Sequence, residues 1–237
     1  MVYVEIPPPL QVFLKFQQQE PVRIPVEHQE HQTVKDLAES CGIPHVEIGC
    51  YRADGKQVSS SARVDDGAVI TLEISQHIPQ GIPSFILDVH MTRLAKYLRI
   101  LGFDCAYRGD YEDAEIARKA EREGRVVLTR DRGLLKRKRI IHGYWVRSQI
   151  PKRQLEEVSR RFQLSKWQHL DSRCSHCNSP MLRVEKEQVR EVLPYYTNLS
   201  YHEFFQCKGC GQVYWEGAHY PKIMELKKIA FGCDPDY

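Results

Sequence analysis

Four cysteines and a set of aspartates are the residues of this chain whose types and spacing could do chemistry. Cys174-x2-Cys177 and Cys207-x2-Cys210 are two pairs in which the short spacing curls the backbone until both thiolates face one ion. Two such pairs complete the tetrahedral sulfur set of a structural zinc site. The 29 residues between them leave room for a β-hairpin. The second group is made of carboxylates. Asp88 follows the apolar run Phe85-Ile86-Leu87, Asp110 and Asp113 follow residues 105–107, and Asp131 follows residues 126–128. A carboxylate placed directly after a buried strand is costly unless something pairs with it, and several at one edge repel one another. A hard divalent cation, Mg²⁺ or Mn²⁺, resolves that repulsion, and such an ion activates water and screens a phosphodiester during in-line attack. The plainer reading of Asp113 and Asp131 is a helix N-cap, since each precedes a helix-compatible run. Spacing alone leaves both readings open.

These residues need a scaffold, and the middle of the chain supplies one. Apolar runs at 85–87, 105–107, 126–128 and 144–146 read as short buried strands, the first and third being continuous as parallel sheets require. Between them, Met91, Leu94, Ala95, Leu98 and Leu101 fall on one helix face, with Arg93, Lys96 and Arg99 on another. Residues 114–123 and 152–162 supply two more helices. Alternation of this kind predicts an α/β domain with a doubly wound parallel sheet, whose ligands bind beyond the carboxyl ends of the strands, where the aspartates lie. The neighbouring run Leu128-Thr-Arg-Asp-Arg-Gly-Leu-Leu-Lys-Arg-Lys-Arg139 offers a phosphate-binding surface: Arg130, Arg132, Lys136, Arg137, Lys138 and Arg139, with Arg93 nearby in sequence logic.

Charge divides the chain. Residues 1–83 carry 6 Lys and Arg against 11 Asp and Glu, residues 84–169 carry 20 against 11, and the rest 8 against 9, so a net +3 hides a strongly basic middle. The Pro- and Gly-rich stretch 75–84 falls at the first break and reads as a linker. The predicted domains are therefore 1–78, a linker at 79–84, 85–169 and 170–237, and a fragment from Ser84 onward is expected to stand alone. The N-terminal domain shows strand candidates at 2–6, 10–16, 22–26, 45–51 and 68–74, with Thr33 as the N-cap of a helix over 34–40. This order is similar to the ubiquitin-like β-grasp of small sulfur carriers, but the chain runs on through Ser75-Gln76 where those carriers end in a free Gly-Gly. A docking or packing role remains, with a protein partner as one candidate. The opening residues form no secretory signal, and no stretch approaches the roughly 18 apolar residues of a membrane helix. The sequence thus predicts a cytoplasmic chain with reduced thiols and no membrane contact. Cys41, Cys50, Cys105 and Cys233 read as small buried or tolerated residues.

Taken jointly, Phe85-Ile-Leu-Asp-Val-His-Met-Thr-Arg-Leu-Ala-Lys-Tyr-Leu-Arg-Ile-Leu-Gly-Phe-Asp104, Glu123-Gly-Arg-Val-Val-Leu-Thr-Arg-Asp-Arg-Gly-Leu-Leu135, the two cysteine knuckles and Tyr214-Trp-Glu-Gly-Ala-His-Tyr220 resemble the Mut-seven C-terminal RNase family. The resemblance covers essentially the whole chain. It implies a PIN-like nuclease domain, a C-terminal zinc ribbon and a ubiquitin-like domain in front. It also implies metal-dependent RNA hydrolysis to a 5′-phosphate and a 3′-hydroxyl, with Asp88, Asp113 and Asp131 matching the family's acids and Glu115 as a fourth candidate. Two positions depart from the family pattern: His90 where an apolar residue is common, and Thr92 where Gly is common.

Two rival functions remain at this stage. A non-catalytic zinc-ribbon RNA-binding protein would use the same basic middle without cleavage. A phosphohydrolase with Asp88 as nucleophile would want another Asp two residues on, and His90 occupies that slot. His90, His176 and His202 read as bystanders, His219 less so, and about half of the aromatics at 195–215 are expected to fill the thin core of the ribbon while others stack on bases.

Overall fold

The computed structural model describes residues 1–217 and 220–232; His219 and Cys233 lie outside the described residues. In chain order the first elements are β1 (Val2–Ile6), β2 (Val22–Val26), α1 (Val34–Ser40), β3 (Ile48–Ala53), β4 (Lys56–Val58) and β5 (Val69–Ile74). The middle follows with β6 (Phe85–Leu87), α2 (Thr92–Ile100), β7 (Cys105–Ala106), α3 (Asp113–Glu123), β8 (Val126–Thr129), α4 (Arg132–Leu135), β9 (Gly143–Trp145) and α5 (Pro151–Phe162). Then come β10 (Met181–Val184), α6 (Lys186–Val189), α7 (Tyr195–Ser200), β11 (Phe204–Cys207), β12 (Val213–Trp215) and α8 (Tyr220–Phe231). These elements gather into two compact units, one of Met1–Ile78 with Glu112–Trp145, the other of Pro79–Tyr111 with Val146–Tyr237.

In the first unit, β1 to β5 form a sheet in the order β2-β1-β5-β3-β4, with the first and last strands parallel at its centre and the other pairs antiparallel. That is the β-grasp arrangement. Alternation places Val2, Val4 and Ile6 of β1 on the buried face against Val34, Leu37 and Ala38 of α1 and Ile70 and Leu72 of β5. Thr33 caps α1 as its sequence position predicts: its Oγ1 accepts from the Asp36 N–H at 3.2 Å, and Asp36 Oδ2 accepts from the Thr33 N–H at 2.9 Å. The expected strand over 10–16 is instead a 3-10 helix, Pro8–Phe13. Pro8 and Pro9 preset φ for a tight turn that runs on through Phe13, and that turn still buries Leu10 and Phe13. The strand expected at 45–51 starts later, because residues His45–Glu47 make a 3-10 turn, and β4 is an addition that pairs with β3 across Asp54-Gly55.

The same unit contains α3, β8, α4 and β9. Strands β8 and β9 are parallel, with Val127, Leu128 and Thr129 opposite Gly143, Tyr144 and Trp145. Helix α3 ends at Gly124, whose φ of +63° closes the last turn at no steric cost.

In the second unit β6 and β7 pair in parallel, Phe85 opposite Cys105 and Ile86 opposite Ala106. All three residues of β6 are buried, as the continuous apolar run requires. Phe85 meets Phe103 and Phe162 edge-on, at 6.0 and 5.6 Å between ring centroids. Strands β10, β11 and β12 form a separate antiparallel sheet with a small core of Val189, Phe204 and Val213. One helix-face expectation fails. Arg99, grouped by periodicity with Arg93 and Lys96 on the polar face of α2, is buried. It is tolerated there because backbone carbonyls surround its guanidinium. Among the described residues no helix is long and apolar enough to cross a membrane.

Candidate functional site

The geometry of the sulfur cluster is the most complete. Cys174, Cys177, Cys207 and Cys210 place their Sγ atoms within 4.8 Å of one another. Cys174 and Cys210 stand 3.7 Å apart and Cys177 and Cys207 3.3 Å apart. A disulfide would hold its sulfurs at about 2.0 Å. A tetrahedron with Zn–S bonds of about 2.3 Å has sulfur edges of about 3.8 Å, close to what is seen. The donor set and its spacing therefore fit a zinc ion.

Local backbone explains how two short knuckles reach this arrangement. Residues after each pair turn back through positive φ, +70° at Asn178 and +73° at Gly211. Amides of the second knuckle point at sulfur: Gly209 N and Cys210 N donate to Cys207 Sγ at 3.3 and 3.4 Å. A Cβ on Gly209 would sit 2.3 Å from Ser179 Oγ and 3.3 Å from Cys177 Sγ, so only glycine lets the knuckles approach. Tyr214 OH lies 3.1 Å from Cys174 Sγ and is placed to donate to a thiolate there. Hydrogen bonds from Ser179 bring Cys177 down to about 6. At Cys210 the Gln212 backbone pulls downward, but desolvation and the neighbouring thiols outweigh it and push the group up to about 12. Four thiols this close cannot all ionise without a cation.

The first knuckle is anchored to the strand-helix layer of its own unit by residues the sequence reading placed elsewhere. Arg99 donates from Nε to the Cys105 carbonyl at 2.9 Å and from Nη1 to the Ser175 and His176 carbonyls at 3.1 and 2.9 Å. Asn178 accepts from the Cys105 N–H at 3.0 Å and donates to Asp104 Oδ1 at 2.8 Å. A Cβ on Gly102, at φ +95°, would meet Leu170 Cβ at 2.5 Å. The available signal for Arg99 was its position beside Leu98 in the last turn of α2, which periodicity alone does not separate from a solvated arginine.

Asp88 and Asp131 follow strands β6 and β8, as expected, whereas Asp113 opens helix α3, well past the end of β7. Asp88 belongs to the second unit; it is 6 % exposed and its Oδ1 accepts from the His90 N–H at 2.9 Å at the start of a 3-10 turn, Val89–Met91. Tyr107 OH donates to the Val89 carbonyl of that turn at 3.0 Å. Thr92, where the family pattern favours Gly, hydrogen-bonds Tyr107 OH, and His90 is exposed. Asp113 and Asp131 belong to the first unit. Asp131 is an N-cap: its Oδ1 accepts from the Gly133 N–H at 2.7 Å, and its own N–H donates to Thr129 Oγ1 at 2.8 Å. Asp113 is no cap, because Glu112 holds that place; its Oδ2 is 3.4 Å from Arg137 Nη2. Glu115 lies in the first turn of α3.

Of the basic residues, Arg93, Arg130 and Lys138 are exposed. Arg137 faces Asp113, and Arg139 pairs with Glu121 at 2.8 Å. Arg132 and Lys136 point into the β-grasp domain, the first donating to the Phe13 carbonyl at 2.8 Å and the second to the Glu39 carbonyl at 2.6 Å. The ribbon aromatics divide as well. Phe204 is buried, whereas Tyr195 and Tyr196 are 72 % and 79 % exposed.

Residues 83–227 match the family model described as Mut7-C RNAse domain, and residues 1–75 match the one described as Mut7-C ubiquitin. No curated protein and no solved structure matches the chain.

Proposed function

The chain belongs to the Mut7-C RNAse domain family with a Mut7-C ubiquitin domain in front, and from that premise we propose that it is a PIN-like, metal-dependent ribonuclease that hydrolyses RNA phosphodiester bonds. The observation that carries the reading is Asp88, a carboxylate kept 6 % exposed at the end of a wholly buried strand, inside the segment matched to the RNase family. A carboxylate at the carboxyl end of a buried parallel strand stands where the ligands of such sheets bind. Asp88, Asp113 and Asp131 would hold one or two Mg²⁺ or Mn²⁺ ions, hard cations that suit oxygen donors. When bound, such ions lower the pKa of water and offset charge on the phosphoryl oxygens.

The chain's own residues then do the remaining work. The turn after β6, tied by Tyr107 to the Val89 carbonyl, fixes where the Asp88 carboxylate points. The cap hydrogen bond from Gly133 leaves the second oxygen of Asp131 available as a ligand. Arg93, Arg130, Arg137, Lys138 and Arg139 supply positive charge for the phosphate backbone. Water adds to phosphorus and the bond to the 3′ oxygen breaks, leaving a 5′-phosphate and a 3′-hydroxyl. The four cysteines hold one structural zinc ion that secures the ribbon, and the domains in this reading are 1–78, 85–169 and 170–237, with a linker at 79–84. The β-grasp domain offers a surface for a protein partner, and the reduced thiols fit a cytoplasmic protein.

The test is cleavage of labelled single-stranded and structured RNAs with and without Mn²⁺. Metal-dependent cutting that is lost in Asp88→Asn supports the reading. RNA binding with no cutting at any Mn²⁺ concentration replaces it with the non-catalytic RNA-binding function.

A further inference from the structure

The first unit joins the β-grasp strands to the segment from Glu112 to Trp145, and the side chains that make the join gather just after Asp131. The Arg132 guanidinium lies against two neighbouring rings, its Cζ 5.2 Å from the centroid of Phe13 and 4.2 Å from that of Trp145. Its Nη1 donates to the Phe13 carbonyl at 2.8 Å and Nη2 reaches the Val12 carbonyl at 3.5 Å. Trp145 donates from Nε1 to the Arg130 carbonyl at 3.1 Å, and its backbone N–H donates to buried Glu47 at 2.7 Å. Arg130 and Arg132 thus bracket Asp131 and are both tied to the Trp145–Phe13 pair, whose centroids are 5.0 Å apart.

The next turn is held the same way. Lys136 Nζ donates to the Glu39 carbonyl near the C-terminus of α1, where a cation meets the negative end of the helix dipole. His45 bridges Glu39 Oε1 at 2.6 Å and the Ile140 carbonyl at 2.9 Å. A Cβ on Gly143 would meet Leu135 Cδ2 at 2.7 Å and Val46 Cγ2 at 3.2 Å, so β9 and the β-grasp shell pack at glycine distance.

We infer that the β-grasp domain is a clamp on the Asp131 turn, and that Arg132 is a positioning residue for the Asp131 carboxylate instead of a phosphate contact. Helix α4 has four residues, too few for intrinsic stability, so its place must be set by tertiary contacts. The local bonds of Asp131, to Thr129 and Gly133, fix its side chain relative to α4 but leave α4 itself to be located. Arg132 and Lys136 locate it against the β-grasp carbonyls. A guanidinium used for phosphate needs its fork free, whereas this one is stacked on rings and spent on carbonyls. The catalytic part of this inference rests on the reading of Asp131 as a metal ligand.

The test uses the full chain with Phe13→Ala, Phe13→Tyr and Arg132→Gln, reading hydrogen exchange of residues 129–136, Mn²⁺ binding by calorimetry, and kcat and KM for RNA. Phe13→Ala is expected to speed exchange across the turn about tenfold, weaken Mn²⁺ binding and lower kcat, with KM and the salt dependence of RNA binding unchanged; Phe13→Tyr should restore all of these. Arg132→Gln should repeat the effect where loss of the Phe13 ring unfolds the β-grasp core. Unchanged exchange in both Phe13→Ala and Arg132→Gln overturns the clamp. A raised KM and a shallower salt slope in Arg132→Gln, with kcat and exchange at parent values, return Arg132 to the phosphate. If Asp131→Asn cuts RNA at the parent rate while Phe13→Ala still speeds exchange, the metal-ligand reading of Asp131 fails and the clamp stands as architecture.

Discussion

Replacing Arg99 should loosen the zinc ribbon although the residue touches no cysteine side chain. Arg99 is 4 % exposed, and three of its hydrogen bonds, at 2.9, 3.1 and 2.9 Å, end on carbonyls of Cys105, Ser175 and His176. Two of those carbonyls lie between Cys174 and Cys177, so Arg99 sets the path of the first knuckle. In Arg99→Met the apolar stem is kept and the donors are lost. Each stranded carbonyl costs about 1–3 kcal/mol, reduced where water enters. A total of about 3–5 kcal/mol corresponds to a fall in Tm of about 10 °C for a chain of this size. Arg99→Lys retains the charge but cannot reach both Cys105 and the knuckle at once, so it should fall between parent and Arg99→Met. The assays are thermal melting and the rate at which zinc passes to a chromogenic chelator, which should rise in the same order. A melting point within about 2 °C of the parent for Arg99→Met, with unchanged zinc release, would refute the view that buried carbonyl bonding anchors the knuckle.

The other expectations are direct. Asp88→Asn and Asp131→Asn should each abolish most Mn²⁺-dependent cleavage while RNA binding persists; since Asn caps about as well as Asp, parent rates would mean that these residues are caps alone. Cys177→Ser, or chelation of the zinc, should unfold the ribbon sheet, because zinc binding contributes on the order of 10 kcal/mol to such sites, and metal analysis of the purified parent should find one zinc per chain. Neutralising Arg137, Lys138 and Arg139 should flatten the salt dependence of RNA affinity by about 0.7 per lost phosphate contact, whereas Lys136→Gln, with its ammonium on the Glu39 carbonyl, should change stability more than slope.

Residue patterns made the elements legible where local rules and burial agree. Phe85 to Leu87 could only be a buried strand, Thr33 and Asp36 could form a capping box, and two Cys-x2-Cys pairs could be read as one sulfur cluster before any fold was known. The misreadings come from competition between rules. Residues 10–16 alternate like a strand, but Pro7, Pro8 and Pro9 had already committed the chain to a tight 3-10 turn. Arg99 obeys helical periodicity as a polar residue, and only the approach of a segment more than 70 residues away reveals carbonyls waiting for it.

The basic run was harder still, because one composition serves two ends. A sequence reader sees six cations between residues 130 and 139 and assigns them to phosphate. Yet cations are also the right partners for orphan carbonyls at a helix C-terminus and for aromatic faces. Arg132 and Lys136 stand four apart, at the first residue and the C-cap of α4, and this spacing turns both to one side, onto the Phe13 and Glu39 carbonyls. Arg137, Lys138 and Arg139 follow the end of α4 and stay exposed. Structural and solvent-facing cations are therefore told apart only once it is known what lies against the turn. The same contacts bear on the break at residues 79–84. The Pro- and Gly-rich composition there marks a connection, but the acidic domain before it and part of the basic segment after it share one compact unit. A fragment from Ser84 loses Phe13, Glu39, His45 and Glu47 together. It should therefore exchange amides rapidly through residues 129–145 and lose cleavage, and a fragment that cut RNA at the parent rate would show that the Asp131 turn holds its place unaided.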